Sequence, residues 1–262
     1  MPKIIFLKNP NPDVDSDKYA ITAKSSCYDS CFLPILSHTF VDQPGLRTYL
    51  TDLAANADKT PVDALIITSQ RAVEAVASVL LELSVSTRSY LGSLPVYTVG
   101  PATAALVQSH GFSKILGGAD AGNGRILASQ IVGANLRRCV FFTGETRRDI
   151  IPVTLRENGI ECIERVVYTS KGIEGVEDQF MELMSDAKDV WWTVFFSPAG
   201  AESIARLIAR NTEITKVAAI GPTTEEFLLK NGITPNTVSR NPDPQSLLQG
   251  INEASPTAHA LA

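Results

Sequence analysis

The chain has 262 residues, enough for one large or two smaller α/β domains that each bury a core. Its 44% hydrophobic and 19% charged residues exclude long disordered tracts, and a formal net charge of -5 supplies no basic field for nucleic acid or an acidic membrane surface. Any anionic ligand therefore has to be held locally.

An apolar run at residues 4–7 predicts a strand, stopped by a loop that Pro10, Pro12 and two asparagines prevent from continuing. Residues 17–28 are weakly patterned for a helix. Residues 31–37 read as a second strand, in which Pro34 marks an edge or a connection between domains. Leu46, Tyr49, Leu50 and Leu53 give helical spacing over 43–55. A buried strand at 63–68 then leads into a helix with Ser69 as N-cap and Val73, Val76, Ala77 and Leu80 as its apolar stripe.

Strand 95–99 runs into Gly100 and Pro101, where proline opens a helix at a position whose N–H would have no partner; Gly111 closes that helix. A glycine-rich loop at 117–124 precedes a helix at 125–132 and a strand at 138–142. Next comes a polar turn, 144–148, and a helix that begins near Asp149, because Pro152 fits only a first turn, and runs to Gly159. Backbone N–H groups at that helix start, with Arg147 and Arg148, suit the turn to a carboxylate or phosphate; the plainer reading is a solvated turn with two surface arginines.

Residues 161–168 read as a strand, and the polar stretch 169–175 predicts a crossing between domains. The pattern restarts with helix 177–184, strand 192–196, a helix opened at Ser197, strand 216–220 and a helix opened by Gly221 and Pro222 and closed by Gly232. The chain after Thr257 is expected to fray.

Cys27, Cys31, Cys139 and Cys162 form no C-x-x-C pair, and none of His38, His110 and His259 stands at metal-ligand spacing from them. Buried free thiols are expected, and no metal. The first residues are too short an apolar run for a signal peptide and lack the arginines of a transit peptide, and no segment reaches spanning length, so a reducing, cytoplasmic location is expected.

The chain also contains itself twice. Gly100, Thr103 and Gly111 match Gly221, Thr224 and Gly232 at a constant offset of 121 positions. Ser69 falls opposite Ser197, and the run from Val140 resembles the run from Ile4. Because one repeat begins at the N-terminus and resumes after Thr169, the organisation predicted is a discontinuous domain of 1–38 plus 170–262 with an inserted domain, 39–169. Strands alternating with helices make both α/β, two similar flavodoxin-like domains with parallel sheets joined by a two-segment linker. Ligands of such sheets gather beyond the carboxyl ends of the strands. Those ends carry Lys8, Ser69, Gly100, the turn 144–148, Ser197 and 221–224, and could face one another across a cleft.

That inventory is hydroxyls, glycines, helix N-termini and a few cations. The histidines fall in a connection, a helix end and the tail, so no Ser-His-Asp triad is plausible, and no Walker A or G-x-G-x-x-G run supports a nucleotide cofactor. Glu145 is the one carboxylate in the turns and reads as a helix-entry residue. Such a site binds an extended, many-charged anion and bends it more readily than it cuts it.

Thr143-Gly-Glu-Thr-Arg-Arg-Asp-Ile-Ile-Pro, Val166-Val-Tyr-Thr, Phe196-Ser-Pro and Ala219-Ile-Gly-Pro-Thr-Thr together resemble the uroporphyrinogen-III synthase family over nearly the whole chain, with a departure at Gln70 where the family often has proline. The resemblance implies an enzyme that cyclises hydroxymethylbilane, a linear tetrapyrrole with two carboxylate arms per ring, with inversion of ring D and loss of water. It implies no cofactor, no nucleic-acid or membrane partner, and action as a monomer. It further implies Tyr168 as the catalytic side chain, a phenol that hydrogen-bonds the departing hydroxyl; otherwise Tyr168 is a half-buried strand tyrosine. Lys8, Ser69, Gly100, Thr103, Gly144, Thr146, Arg147, Ser197, Ala199, Thr223 and Thr224 become the candidate substrate-binding residues, with helix capping or first-turn packing the competing role for Thr103 and Thr224. A rival from another class is a non-catalytic two-domain polyanion-binding protein that closes by hinge motion.

Overall fold

The computed structural model describes residues 2–11, 14–185 and 191–255. Pro12 of the first loop and the expected fraying after Thr257 fall outside them. The chain divides into two compact units, the first built from residues 1–37 and 171–262 and the second from 38–170.

In chain order the first unit opens with β1 (Lys3–Leu7), α1 (Lys18–Ser25) and β2 (Asp29–Phe32). Then come β3 (Leu36–Phe40), α2 (Gln43–Ala55), β4 (Ala64–Ile67), α3 (Gln70–Leu80), α4 (Val85–Ser93), β5 (Pro95–Val99), α5 (Pro101–Ser109), β6 (Lys114–Gly118), α6 (Gly124–Gly133), β7 (Arg138–Gly144), α7 (Ile150–Glu157) and β8 (Glu161–Gly172). The first unit is completed by α8 (Val176–Ser185), β9 (Trp191–Phe195), α9 (Glu202–Arg210), β10 (Lys216–Ala219), α10 (Pro222–Lys230), β11 (Thr237–Val238) and α11 (Pro244–Ala254).

The first unit's sheet has the spatial order β11-β10-β9-β1-β2, with parallel pairs throughout. Numbered from its own first strand, it reads 2-1-3-4-5, the flavodoxin-like order. The second unit's sheet runs β3-β8-β7-β4-β5-β6. Its five parallel strands repeat 2-1-3-4-5 once β7 is counted as the first, with β3 added beyond β8. The run from Val140 therefore occupies in the second sheet the place that the run from Ile4 occupies in the first, as the internal repeat predicts.

These central strands are apolar on both faces because helices cover both. Along β4, Leu65 and Ile67 enter one core with α2, α3 and α5, whereas Ala64 and Ile66 enter another with α6 and α7. Along β1, Ile5 and Leu7 pack with α8, α9 and α10, whereas Ile4 and Phe6 pack with α1 and α11. A fully buried Ile or Phe contributes roughly 1.5–3 kcal/mol. An exposed ion pair such as Arg47–Glu82 contributes about 0–1 kcal/mol, so the doubly covered sheets carry the stability of each unit.

Several predicted elements change form. The strand expected at 31–37 is two strands, because Pro34 has no N–H to donate: β2 ends at Phe32 and β3 starts at Leu36. The stretch 169–175, where a crossing between domains was expected, is strand as far as Gly172, and the chain divides within it, between Ser170 and Lys171. The loop expected from 117 begins inside β6, whose terminal glycines are held by pairing with β5 from Pro95↔Lys114 to Val99↔Gly118. The helix expected to open at Ser197 starts instead at Glu202, with Ala201 as an N-cap that makes no side-chain bond. All four cysteines are free, but only Cys139 is buried; burial, then Cys162 and Asp63 nearby, push its thiol up to about 12, which keeps it protonated and inert.

Candidate functional site

In the second unit a cleft of about 600 Å³ opens beyond the carboxyl ends of β4, β5, β7 and β8. It forms there because α3, which follows β4, packs on one face of the sheet and α7, which follows β7, packs on the other. Two neighbouring strands whose connections leave in opposite directions necessarily leave a crevice between their ends. Thr68, Ser69, Thr143, Thr146, Asn123, Arg125, Arg147, Arg148 and Tyr168 line it together with apolar side chains, and among the described residues no carboxylate or histidine does.

Each polar group has a local cause. Ser69 caps α3 as expected, its hydroxyl accepting from the Ala72 N–H at 3.2 Å. Asn123 caps α6 by accepting from the N–H groups of Arg125 and Ile126 at 3.0 and 3.1 Å. The N-cap of α7, Asp149, makes no side-chain capping bond, so the first-turn N–H groups of that helix have no side-chain acceptor among the described residues. Pro152 sits in this first turn, as its missing N–H requires.

The arginines differ in availability. Arg147 is gripped by Glu164 on β8, with Asp149 3.4 Å from its guanidinium, so its charge is already answered. Arg148 and Arg125 are exposed and have no ion-pair partner among the described residues. Sequence reasoning missed Arg125. The signal that could have found it is its place in a helix first turn, where the macrodipole disfavours a cation unless an anion is nearby.

Tyr168 reaches the cleft through a β-bulge. Thr143 pairs with Val166, but Gly144 pairs with Tyr168, so Val167 is the extra residue and the tyrosine ring comes to lie over Gly144. Val167 is buried in the core below. The Glu145 N–H donates to the Tyr168 carbonyl at 3.0 Å, and Thr169 Oγ1 donates to Glu145 Oε2 at 2.7 Å. Glu145 is therefore a strap between β7 and β8, not the helix-entry residue expected. His38 stands edge-on to Tyr168 with ring centroids 6.2 Å apart, and its Nδ1 lies 2.8 Å from Ser170 Oγ. Burial, then Arg71, hold His38 below its ordinary value, with Glu74 pulling the other way.

Gly100 and Thr103 lie at the end of β5 beside Val99, which lines the cleft. Gly100 has φ +80°, a conformation that favours glycine, and donates its N–H to the Gly118 carbonyl at 2.8 Å. Thr103, third residue of α5, is buried, and its hydroxyl has no hydrogen-bond partner among the described residues.

The first unit arranges the corresponding strand ends differently. Lys8, just past β1, places its ammonium 2.7 Å from Asp17 and 5.0, 5.2 and 5.6 Å from the rings of Tyr19, Phe32 and Phe196. Asp17, 1% exposed, also accepts from the N–H groups of Tyr19 and Asn11. Burial raises this carboxyl, but the bonds from Lys8, Tyr19 and Asn11 outweigh it and leave Asp17 below its ordinary value. Burial, then Asp243 and Asp17, push the Tyr19 phenol up to about 12.

Half-buried Ser197 and exposed Ala199 lie in the segment between β9 and α9. Thr223 is exposed and Thr224 is buried in the first turn of α10, whose N-cap, Gly221, offers no side chain. The Thr224 hydroxyl, like that of Thr103, has no hydrogen-bond partner among the described residues.

Comparison with known proteins agrees with this architecture. A family model described as uroporphyrinogen-III synthase HemD matches residues 17–249. The chain is 36% identical to a uroporphyrinogen-III synthase of Saccharomyces cerevisiae over 95% of each chain, and 34% identical to that of Schizosaccharomyces pombe over 90% of this chain and 91% of the relative. Among solved structures, the uroporphyrinogen-III synthetase of Helicobacter pylori shares the fold with a TM-score of 0.62 at 20% identity, covering 97% of this chain and 100% of that one. With a matching family model over most of its length and relatives above 30% identity along nearly all of it, the chain belongs to the uroporphyrinogen-III synthase family.

Proposed function

We propose that the chain closes hydroxymethylbilane into its macrocycle with inversion of ring D and loss of water. The observation that supports this best is the cleft lining of the second unit: unpaired guanidinium groups and an uncapped helix start beside a single phenol, with no carboxylate or histidine among the described lining residues. Such a lining suits a reaction whose substrate brings its own charges and whose product is decided by conformation.

The Tyr168 O–H donates to the terminal hydroxyl, which leaves as water and gives an azafulvene cation. Ring D then attacks through its substituted carbon, the resulting spiro intermediate fragments and recloses with that ring inverted, and the proton lost from the ring carbon on reclosure replaces the one taken up by the departing hydroxyl. The unassisted reaction closes directly to the uninverted isomer, so the protein's task is to hold the carboxylate arms in the spiro geometry. Favouring that route a hundredfold takes about 2.7 kcal/mol. A hydrogen bond to a charged group contributes about 1.5–3 kcal/mol, so one or two arm contacts from Arg125, Arg148 or the start of α7 are sufficient.

In the first unit the donors available to an arm are Ser197, Thr223, Thr224 and the start of α10. Lys8, committed to Asp17, contributes less. Gly100 and Thr103 belong to the corresponding group in the second unit, and Thr146 lies in the cleft itself. No helix among the described residues is long and apolar enough to cross a membrane. We take the chain to act as a monomer, and in the cytoplasm, a location supported by its four unpaired thiols.

Purified protein incubated with enzymatically generated hydroxymethylbilane, followed by separation of the oxidised porphyrin isomers, tests the reading. Type III product is expected, and type I alone would overturn it. Tyr168→Phe is expected to lower turnover roughly tenfold to hundredfold with the fold intact. Unchanged turnover would remove the phenol's role.

A further inference from the structure

β7 ends on a glycine whose backbone does not need one. Gly144 is outside the left-handed region, so its φ imposes no strain on a side chain. What excludes a side chain is Tyr168: a Cβ built on Gly144 would stand 2.6 Å from Cζ, 2.8 Å from the phenol oxygen and 2.9 Å from Cε2 of that ring. The contact is made by the functional end of the ring, and real Cβ atoms do not approach so closely.

Three further features fix the ring against this bare stretch of backbone. The bulge at Val167 brings Tyr168 opposite Gly144; in unbroken register Gly144 would face Val167, whose side chain is committed to the core. The Glu145 N–H holds the Tyr168 carbonyl, and the Glu145 carboxylate holds Thr169, so β8 cannot slide along β7 at this point. His38, tied to Ser170, stands edge-on to the ring.

We propose that Gly144 is a positioning residue whose missing side chain forms the seat of the Tyr168 phenol and fixes where its O–H points. The proposal rests on the reading of Tyr168 as the group that assists the departing hydroxyl. It replaces the expectation that Gly144 serves by touching substrate, and it gives the bulge a purpose: the extra residue and the bare backbone together aim the ring into the cleft. A methyl group at position 144 must push the ring aside, because the flanking backbone is held by the Glu145 strap. The displaced phenol loses its alignment with the leaving hydroxyl, while the arginines that hold the arms keep theirs.

The test is a four-variant comparison on the full chain, measuring kcat, KM and the unfolding midpoint for Gly144→Ala, Tyr168→Phe, Tyr168→Ala and the double variant Gly144→Ala/Tyr168→Ala. Gly144→Ala is expected to lower kcat at least tenfold with KM within twofold. Adding Gly144→Ala to Tyr168→Ala is expected to change kcat less than twofold, because the ring it would displace is already gone. If Gly144→Ala keeps kcat within twofold of the wild type while Tyr168→Phe loses activity, the seat is refuted and the phenol's role stands. Equal losses from Gly144→Ala with and without the ring also refute the seat, since the damage then lies elsewhere. Wild-type turnover in Tyr168→Phe would instead refute the phenol reading on which the seat depends. Should Gly144→Ala alone fold poorly, recovery of its unfolding midpoint in the double variant supports the clash, and no recovery overturns it.

Discussion

The two units have the same strand order and use their crevices in opposite ways. In the first unit the polar groups at the end of β1 satisfy one another: Lys8 turns onto Asp17 and lies among three aromatic rings. In the second, the corresponding strand is β7, and its end leads into a cleft of about 600 Å³ where Arg125 and Arg148 have no ion-pair partner among the described residues. Topology decides where a crevice lies. Whether it is free for a ligand depends on whether its charges are already paired, and one residue such as Asp17 is enough to change that.

The largest expected effect tests the closed side of this contrast. Asp17→Ala removes the partner of Lys8 and the cap of α1 together, and is expected to cost about 2–3 kcal/mol, less than a fully buried pair because Lys8 is partly exposed. Because Asp17 is held below its ordinary value, its stabilisation is complete above the unfolded-state value near pH 4 and is lost as pH falls through the lower folded-state value. The gap in unfolding midpoint between wild type and Asp17→Ala should therefore narrow in strong acid. Glu164→Ala, which frees Arg147 in the second unit, is expected to cost less than about 1 kcal/mol. Equal costs for the two substitutions, measured by denaturant unfolding, would break the contrast.

The next effect tests the open side. Arg125→Ala and Arg148→Ala are each expected to raise KM for hydroxymethylbilane about fivefold to tenfold, equivalent to roughly 1 kcal/mol for a charge-assisted contact at an exposed site. The increase should shrink as salt is added, since exposed charges are screened. Arg147→Ala and Lys8→Met, whose charges are already paired, should move KM less than twofold. A larger effect at Lys8 than at Arg125 would mean that pairing in the free protein says nothing about availability to substrate.

The contrast also shows what the sequence reveals and what it hides. Strands covered on both faces announce themselves as continuous apolar runs, which is why Ile4, Ile5, Leu65, Ile66 and their neighbours were readable. Ser69, Pro101 and Pro222 mark their helix starts because capping and a missing N–H are local chemistry. Features that depend on distant residues were not readable. The helix α4 buries only Thr87 and Leu91, too few to show a period. Lys8 and Arg147 looked like free cations because Asp17 and Glu164 meet them only in the folded chain. Glu145 looked like a helix entry because the bulge that ties it to β8 leaves no mark in the sequence. In the site, therefore, the residue types were legible, but which charges remained unpaired was not.

The smallest effect puts the comparison most directly. Thr103 and Thr224 occupy the third position of matching helices, each opened by glycine and proline, each buried, and each with a hydroxyl that has no hydrogen-bond partner among the described residues. Neither hydroxyl oxygen is among the buried polar atoms left without a partner, so each reaches solvent, and replacing it with the methyl of valine should change the unfolding midpoint little. If the hydroxyls serve substrate, Thr103→Val and Thr224→Val should each lower kcat/KM about twofold to fivefold, equivalent to roughly 0.5–1 kcal/mol for one neutral hydrogen bond. A fall in midpoint together with activity would assign the hydroxyl to the fold instead. Loss of activity at only one of the two would show that the repeats remain alike in shape after ceasing to be alike in use, because the helix start alone then suffices in the other unit.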